Sequence, residues 1–183
     1  WRRIKSRFAL SRVELLTDMK GSFIEIHTKR LYTEIVPHTK GAAMFDKILL
    51  AVDGSEHALH AARKAAELAR TMKSREFRIV VSYDTIPVYL GEPNMQFAID
   101  ARKTDAEEIL NLAVKEVGDL PCEIHTEIIE GNSAEAIIDV ASVRKSDVIV
   151  MGSRGLGRLA GLLLGSTSQK VVAHAPCPVL IVR

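Results

Sequence analysis

Ile48-Leu49-Leu50-Ala51-Val52-Asp53-Gly54-Ser55 is the stretch that decides the fold. Five apolar residues in succession, without polar alternation, describe a strand buried on both faces, and Asp-Gly-Ser supplies the turn at its carboxyl end. Ser55 is a good helix N-cap, and residues 56–72 carry Ala58, Ala61, Ala62, Ala65, Leu68 and Ala69 on one side of a helix. Strand, tight turn and Ala-faced helix together are the opening of a βαβ unit.

Towards the carboxyl terminus the same grammar repeats. Phe77–Tyr83 is a second apolar strand, and Asp84–Met95, with Pro87, Gly91 and Pro93, is a loop. Residues 97–117 read as a helix with Ile99, Ile109, Leu110, Leu112, Ala113 and Val117 as its apolar positions. Glu123–Ile129 alternates, which places a third strand near an edge of the sheet. Gly131-Asn132-Ser133 caps a third helix that runs to Val143, and Asp147–Met151 is a fourth strand. Gly152–Gly165 is a glycine-rich loop, Ser166–Ala173 begins a fourth helix, and Pro178–Val182 is a fifth strand. Such alternation implies parallel strands joined by right-handed crossovers, with helices on both faces. Ligands of these sheets bind beyond the carboxyl ends of the strands, where the strand order reverses. With the first strand central, Asp53–Ser55 and Gly152–Ser166 lie side by side at that crevice.

Bulk properties agree. Aromatic residues are only 5% of the chain, so the core is built from Val, Ile, Leu and Ala, which suits a parallel sheet under Ala-rich helices. No apolar run is long enough to cross a bilayer and no signal-peptide pattern opens the chain, so a cytoplasmic protein without a membrane partner is expected. Formal charge is +2 but uneven: residues 1–43 carry nine Lys and Arg against four Asp and Glu, and the remainder sixteen against nineteen. The domain from Met44 onward therefore offers no electrostatic case for a nucleic-acid partner. Cys122 and Cys177, read as lying in separate apolar strands, lack metal-ligand spacing and are expected to be reduced, core-facing thiols. His57 and His60 sit three apart near the start of a helix, but no third ligand is evident, and solvent-facing side chains are expected.

Residues 1–43 read differently. The chain opens at Trp1, and Phe23-Ile24-Glu25-Ile26 and Leu31–Val36 alternate only weakly, enough for a strand pair or for nothing. Met44, just before the first strong strand, reads as a natural start, with 1–43 an extension that is poorly structured or not native. The alternative is a genuine arm that packs on the domain or on a partner.

The chemistry is concentrated in Gly152-Ser153-Arg154-Gly155-Leu156-Gly157-Arg158, Leu159–Leu164 and Gly165-Ser166-Thr167-Ser168. Gly152 and Gly155 allow a tight turn and close approach of a ligand to the backbone. Gly165 precedes a helix whose first N–H groups, on Ser166 and Thr167, point along the helix dipole at an anion, for which phosphate is the natural occupant. Arg154 or Arg158 supplies positive charge. The bland alternative is a glycine loop with a serine cap and no ligand. The pattern is neither a Walker A loop, because no Gly-Lys-Ser/Thr ends it, nor the dinucleotide fingerprint, which belongs in the first strand–helix turn. Asp53, at the carboxyl end of the first strand, reads as a ribose or divalent-ion ligand, against the alternative of an Asx turn or helix cap.

Asp53-Gly54-Ser55, Gly152-x2-Gly155-x9-Gly165-Ser166 and the ending Ala175-Pro176-Cys177-Pro178-Val179-Leu180-Ile181-Val182 together resemble the universal stress protein family, over Met44–Arg183. The resemblance implies an α/β fold of the adenine nucleotide alpha hydrolase-like, Rossmann-like kind: a five-stranded parallel sheet in the order 3-2-1-4-5. Keeping the whole glycine pattern resembles the members that bind ATP, with Mg or Mn on the phosphates. By position, Ala51 and Asp53 resemble the residues flanking adenine and ribose, and Tyr83 the position whose backbone reads the adenine edge. Met151, Gly152, Arg154 and Gly155 resemble the ribose- and phosphate-facing loop, and Gly165, Ser166, Thr167 and, more weakly, Ser168 the triphosphate cradle.

The resulting expectation is an ATP-binding regulatory stress protein, a nucleotide-dependent switch or interaction module. A slow ATPase or nucleotidyl-transfer enzyme is one alternative; efficient catalysis is disfavoured by the missing Walker lysine and water-activating base. A nucleotide-independent dimeric interaction protein is the other. A homodimer through residues 179–182 is expected on two grounds: an apolar edge strand invites pairing, and the resemblance implies antiparallel contact of fifth strands.

Overall fold

The structure is a computed structural model, and it describes residues 13–17, 23–27, 44–86, 91–157 and 164–183. In chain order the elements are β1 (Val13–Thr17), β2 (Phe23–His27), β3 (Lys47–Val52), α1 (Glu56–Met72), β4 (Glu76–Tyr83), α2 (Asn94–Val117), β5 (Glu123–Glu130), α3 (Ser133–Arg144), β6 (Val148–Gly152), α4 (Ser166–His174) and β7 (Val179–Val182). One sheet contains all seven strands, in the order β1-β2-β7-β6-β3-β4-β5. From β7 to β5 the strands are parallel. Within the domain from Met44 this is the expected 3-2-1-4-5 arrangement, with β3 central between β4 and β6.

The period of two along each strand divides the core into two layers. Ile48, Leu50, Val52, Ile79 and Val81 face the alanines of α1 and Ala106, Ala113 and Val117 of α2. Leu49, Ala51, Val80, Ile149 and Met151 face Ile137 and Val140 of α3 and Val171 of α4. Small alanine side chains let α1 lie close on the sheet, as its periodicity requires. In α2, Leu112 departs from the sequence reading: it is 49% exposed, and Ala106, Ala113 and Val117 make the buried stripe. The helix also starts at Asn94 rather than at residue 97. Cys122 and Cys177 are free, half-buried thiols just ahead of β5 and β7 rather than within strands. Burial pushes the Cys177 thiol up to about 11, and burial also raises Cys122, so neither is a poised nucleophile.

The amino ends of the strands are closed by polar groups that answer one another. Asp147 accepts the backbone N–H groups of Asp46 (2.9 Å) and Lys47 (2.8 Å), and the Ser74 hydroxyl donates to the Phe45 carbonyl. Arg75 donates to Asp46 through Nε at 2.6 Å, and this hydrogen bond holds the Asp46 carboxyl below its ordinary value. Burial raises Glu76, but its bonds to Arg78 and Lys47 outweigh that and leave it lowered.

One expectation fails at the other side of the sheet. Residues 179–182 were read as a free edge, but β2 lies antiparallel on β7, and β1 on β2. The weakly alternating Phe23–Ile26 patch is thus a strand seated on the domain. Leu31–Val36, Arg158 and the prolyl loop around Pro87 lie outside the described residues.

Candidate functional site

Four helices start near the carboxyl ends of the strands, and their first turns differ. In α1, the Ser55 hydroxyl accepts the Ala58 N–H at 3.2 Å. In α3, the Asn132 side chain accepts from Ala134 and Glu135. These caps satisfy the free amides of the first turn within the chain. The N-cap of α4 is Gly165, which has no side chain to do so, and the Ser166 hydroxyl is not used for it. The N-cap of α2, Pro93, also lacks a side-chain cap, but no residue of α2 lines the cavity of about 220 Å³ that Gly165, Ser166, Thr167 and Ser168 line.

The cavity sits at the reversal of strand order, between the ends of β3 and β6. Its polar end is made by the first turn of α4, the loop Gly152–Gly157 and Asp53. Its apolar end lies between the sheet and α3, with Ala51 and Met151 on one side, Ile137 on the other, and Ser82 and Ser133 at the margin. A slot between aliphatic walls, leading to a cluster of unspent amides, has room for a flat heterocycle at one end and an anion at the other.

The loop is held at its feet. Gly165 N–H donates to the Ser153 carbonyl at 2.8 Å, and Ser153 N–H donates to the Val182 carbonyl at 2.7 Å. Ser153 and Ser168 are buried, and the Ser168 hydroxyl donates to the Gly152 carbonyl at 3.0 Å. The hydroxyl of Ser168 is therefore committed to the fold, and what it offers a ligand is its backbone. Arg154 is exposed at the rim, and its carbonyl accepts from Ser55 Oγ at 3.3 Å.

The three glycines of the motif separate by function. A Cβ on Gly152 would sit 2.8 Å from the His57 carbonyl carbon and 2.9 Å from Ala58 N. Gly152 is thus required so that the first turn of α1 can approach β6, which is packing rather than ligand contact. A Cβ on Gly155 would collide with the Asp53 carboxylate. A Cβ on Gly165 would meet its nearest neighbour, Arg154 Cα, at an ordinary 3.5 Å, so the bare backbone there is a matter of keeping the crevice open.

Asp53 divides its two oxygens. Oδ1 accepts from Ser55 N at 3.1 Å and Ser55 Oγ at 2.6 Å, an Asx turn that fixes the carboxylate. Oδ2 is turned to Gly155 across the crevice. The turn-forming alternative read from the sequence is present at Oδ1, and Oδ2 leaves one carboxylate oxygen facing the crevice. Among the described residues no group of three or more His, Cys, Asp or Glu is placed to hold a metal ion. His57 and His60 are half-buried rather than solvent-facing, and His60 Nδ1 lies 2.5 Å from the Arg183 carbonyl.

Ten of the eleven candidate positions line the cavity: Ala51, Asp53, Met151, Gly152, Arg154, Gly155, Gly165, Ser166, Thr167 and Ser168. Tyr83 does not. Its side chain packs on the α1–α2 layer, and its carbonyl accepts the Gly131 N–H at 2.8 Å. Ser82, one residue earlier and on the opposite face, lines the cavity in its place. Sequence reasoning missed Ser82, Ser133 and Ile137. The parity of β4 around its buried Val80 carries the signal for Ser82; α3 is brought to the site only by tertiary packing.

A doubly wound parallel α/β domain, with an uncapped helix N-terminus facing a carboxylate at its switch point, is the class that fold and cavity define. Residues 44–183 match the Universal stress protein family along their whole length, and the chain belongs to that family. It is 47% identical over 140 residues to "Universal stress protein in QAH/OAS sulfhydrylase 3'region" from Thermus aquaticus, covering 76% of this chain and all of that protein. Among solved structures it is similar to universal stress protein UspA from Lactobacillus plantarum, at 27% identity and a TM-score of 0.68, covering 76% of this chain and 98% of the other. A universal stress protein solved in complex with cAMP shares the fold, with 24% identity, a TM-score of 0.60, and coverage of 77% and 99%.

Proposed function

We propose that Met44–Arg183 binds an adenine nucleotide, ATP carrying Mg or Mn, and acts as a nucleotide-dependent regulatory module. The observation that carries this reading is the first turn of α4: its amides have no side-chain cap, and they open into the cavity opposite Asp53. Phosphates are the anions that such a helix end accepts best. The aliphatic slot formed by Ala51, Met151 and Ile137 favours a nucleotide over free phosphate, because it gives a base somewhere to stack. That a protein of the same fold was solved with cAMP is consistent with this; at 24% identity it speaks for the fold, so the reading rests on the crevice of this chain.

In this account Ser166 and Thr167 donate backbone N–H groups to the phosphates, with Gly155 approaching from the facing loop. Asp53 Oδ2 faces the ribose or the divalent ion, whose remaining ligands are phosphate oxygens and water. Occupancy ties Arg154–Gly157 to the domain, because the foot of this loop is already held by the Gly165–Ser153 bond. Leu156, 70% exposed on that segment, is then presented in a nucleotide-dependent way to a protein partner. A site for ATP has its use where ATP is abundant, so the proposal places the chain in the cytoplasm.

Isothermal titration with ATP and Mg tests the reading. Wild type should bind with one site per chain, and Gly165→Val, whose branched side chain fills the mouth of the crevice, should give no heat of binding while melting like wild type. A flat wild-type trace leaves only a nucleotide-independent interaction protein.

A further inference from the structure

The polar side chains around the cavity divide into those the fold has used and those it has not. Asn132 accepts the Ala134 and Glu135 amides, the Ser55 hydroxyl donates to Asp53, and the Ser168 hydroxyl donates to the Gly152 carbonyl. At the margin of the apolar end two hydroxyls remain, on Ser82 and Ser133. Among the described residues neither has a hydrogen-bond partner.

Both hydroxyls are held in position. Ser82 continues the face of β4 that carries Val80, and Ser133 lies one helical turn before Ile137 on the side of α3 that meets the cavity. They stand on facing walls of the slot, one on the sheet and one on the helix above it. The Tyr83 carbonyl accepts the Gly131 N–H at 2.8 Å, which ties the end of β4 to the residue two before Ser133. That bond also gives a donor to the backbone carbonyl which the family resemblance places at the adenine edge.

We infer that Ser82 and Ser133 read the base, and that the site therefore takes 6-amino and 6-oxo purine nucleotides alike. The inference rests on the nucleotide reading above and specifies its base subsite. A serine hydroxyl donates one hydrogen bond, accepts others, and turns to suit the group that faces it. The edge of adenine offers a donor at the 6-amino group and an acceptor at N1. Hypoxanthine reverses both, with an acceptor at the 6-oxo group and a donor at N1. A rigid reader fits one pattern and leaves buried groups unpaired against the other, a loss that separates ligands by about 10⁴-fold. Two hydroxyls rotate to fit either. Ala51, Ile137 and Met151 complete that end of the slot, so among the described residues no carboxylate, carboxamide or imidazole there imposes a choice.

Calorimetric titration with ATP, inosine triphosphate and tripolyphosphate, each with Mg, provides the test. It compares wild type with a double variant, Ser82→Ala and Ser133→Ala. Wild type should bind ATP and inosine triphosphate within about fivefold of each other. The double variant should melt like wild type, because the lost hydroxyls bond nothing in the fold. It should bind both nucleotides about tenfold more weakly and tripolyphosphate unchanged. A wild type that prefers ATP by about a hundredfold or more, or a double variant with wild-type nucleotide affinities, would overturn the inference and leave the nucleotide reading standing. So would a lowered melt or weakened tripolyphosphate binding in the double variant, which would make the two serines supports of the fold. Failure of wild type to bind ATP would overturn both.

Discussion

The two ends of the parallel sheet are built from the same residue types and are finished in opposite ways. At the amino ends, Asp147 spends one carboxylate oxygen on two backbone amides, Arg75 spends its guanidinium on Asp46, and Glu76 is shared between Lys47 and Arg78. At the carboxyl ends, α4 begins on a glycine without a side-chain cap, and Asp53 commits one oxygen to Ser55 and turns the other to the crevice. The difference teaches where to look for a ligand: polar groups that the protein satisfies for itself support the fold, and those it leaves open are available to something else. Parallel strands make the asymmetry possible, because all their carboxyl ends and all the helix N-termini that follow fall on one side.

Substitutions at the two ends should therefore separate stability from binding. The largest effect is expected at Gly152→Val, where the new side chain meets the backbone of His57 and Ala58. Overpacking of this kind costs about 3 kcal/mol, read as a lower guanidinium midpoint; a midpoint equal to wild type would show that Gly152 is not a packing glycine. Next is Gly165→Ser. The site accepts a Cβ, and the backbone there is extended, so a serine can cap α4. Stability should change by only a few tenths of a kcal/mol, while ATP affinity falls about tenfold as the hydroxyl competes for an amide that binds phosphate through a charge-assisted bond. Unchanged affinity would mean that those amides do not bind the ligand.

Asp147→Ala is the mirror experiment. It deprives two backbone amides of their acceptor and should lower stability by about 1–2 kcal/mol with no change in nucleotide affinity for the folded protein. Loss of affinity there would erase the distinction between the ends. The smallest effect is on pH dependence. Asp46 and Glu76 both have folded-state values held below their ordinary 3.8 and 4.5. The stability they contribute is fully present above about pH 4.5 and is lost as pH falls through the lowered values. The guanidinium midpoint should hold level from pH 7 to 5 and decline towards pH 3. The decline should be shallower in Asp46→Asn with Glu76→Gln; an identical slope in that double variant would assign it to other carboxylates.

Much of this was legible in the sequence, and the exceptions have physical causes. Ile48–Val52 and the helix after Ser55 announce themselves through a buried strand's unbroken apolar run and a capped alanine stripe, both local signals. Gly165 before Ser166 likewise marks an uncapped helix start without reference to the rest of the chain. Tyr83 is given only a backbone role by the resemblance; its side chain falls on the α1–α2 face, because side chains alternate along a strand and the parity fixed by Val80 gives the cavity to Ser82. Ile137 and Ser133 reach the cavity because α3 packs over the sheet, which no spacing within α3 reveals. The seat of β2 on β7 is held by backbone pairing across more than 150 residues of sequence. Strand pairing of that kind leaves almost no trace in the pattern of either strand.

Amide-resolved NMR of the labelled protein, titrated with ATP and Mg, addresses the central claim directly. The N–H resonances of Ser166 and Thr167 should shift furthest and saturate together with those of Gly155, while the amides of Asp46 and Lys47 stay in place. Shifts that leave the first turn of α4 untouched, or that centre on the amino ends of the strands, would contradict the account.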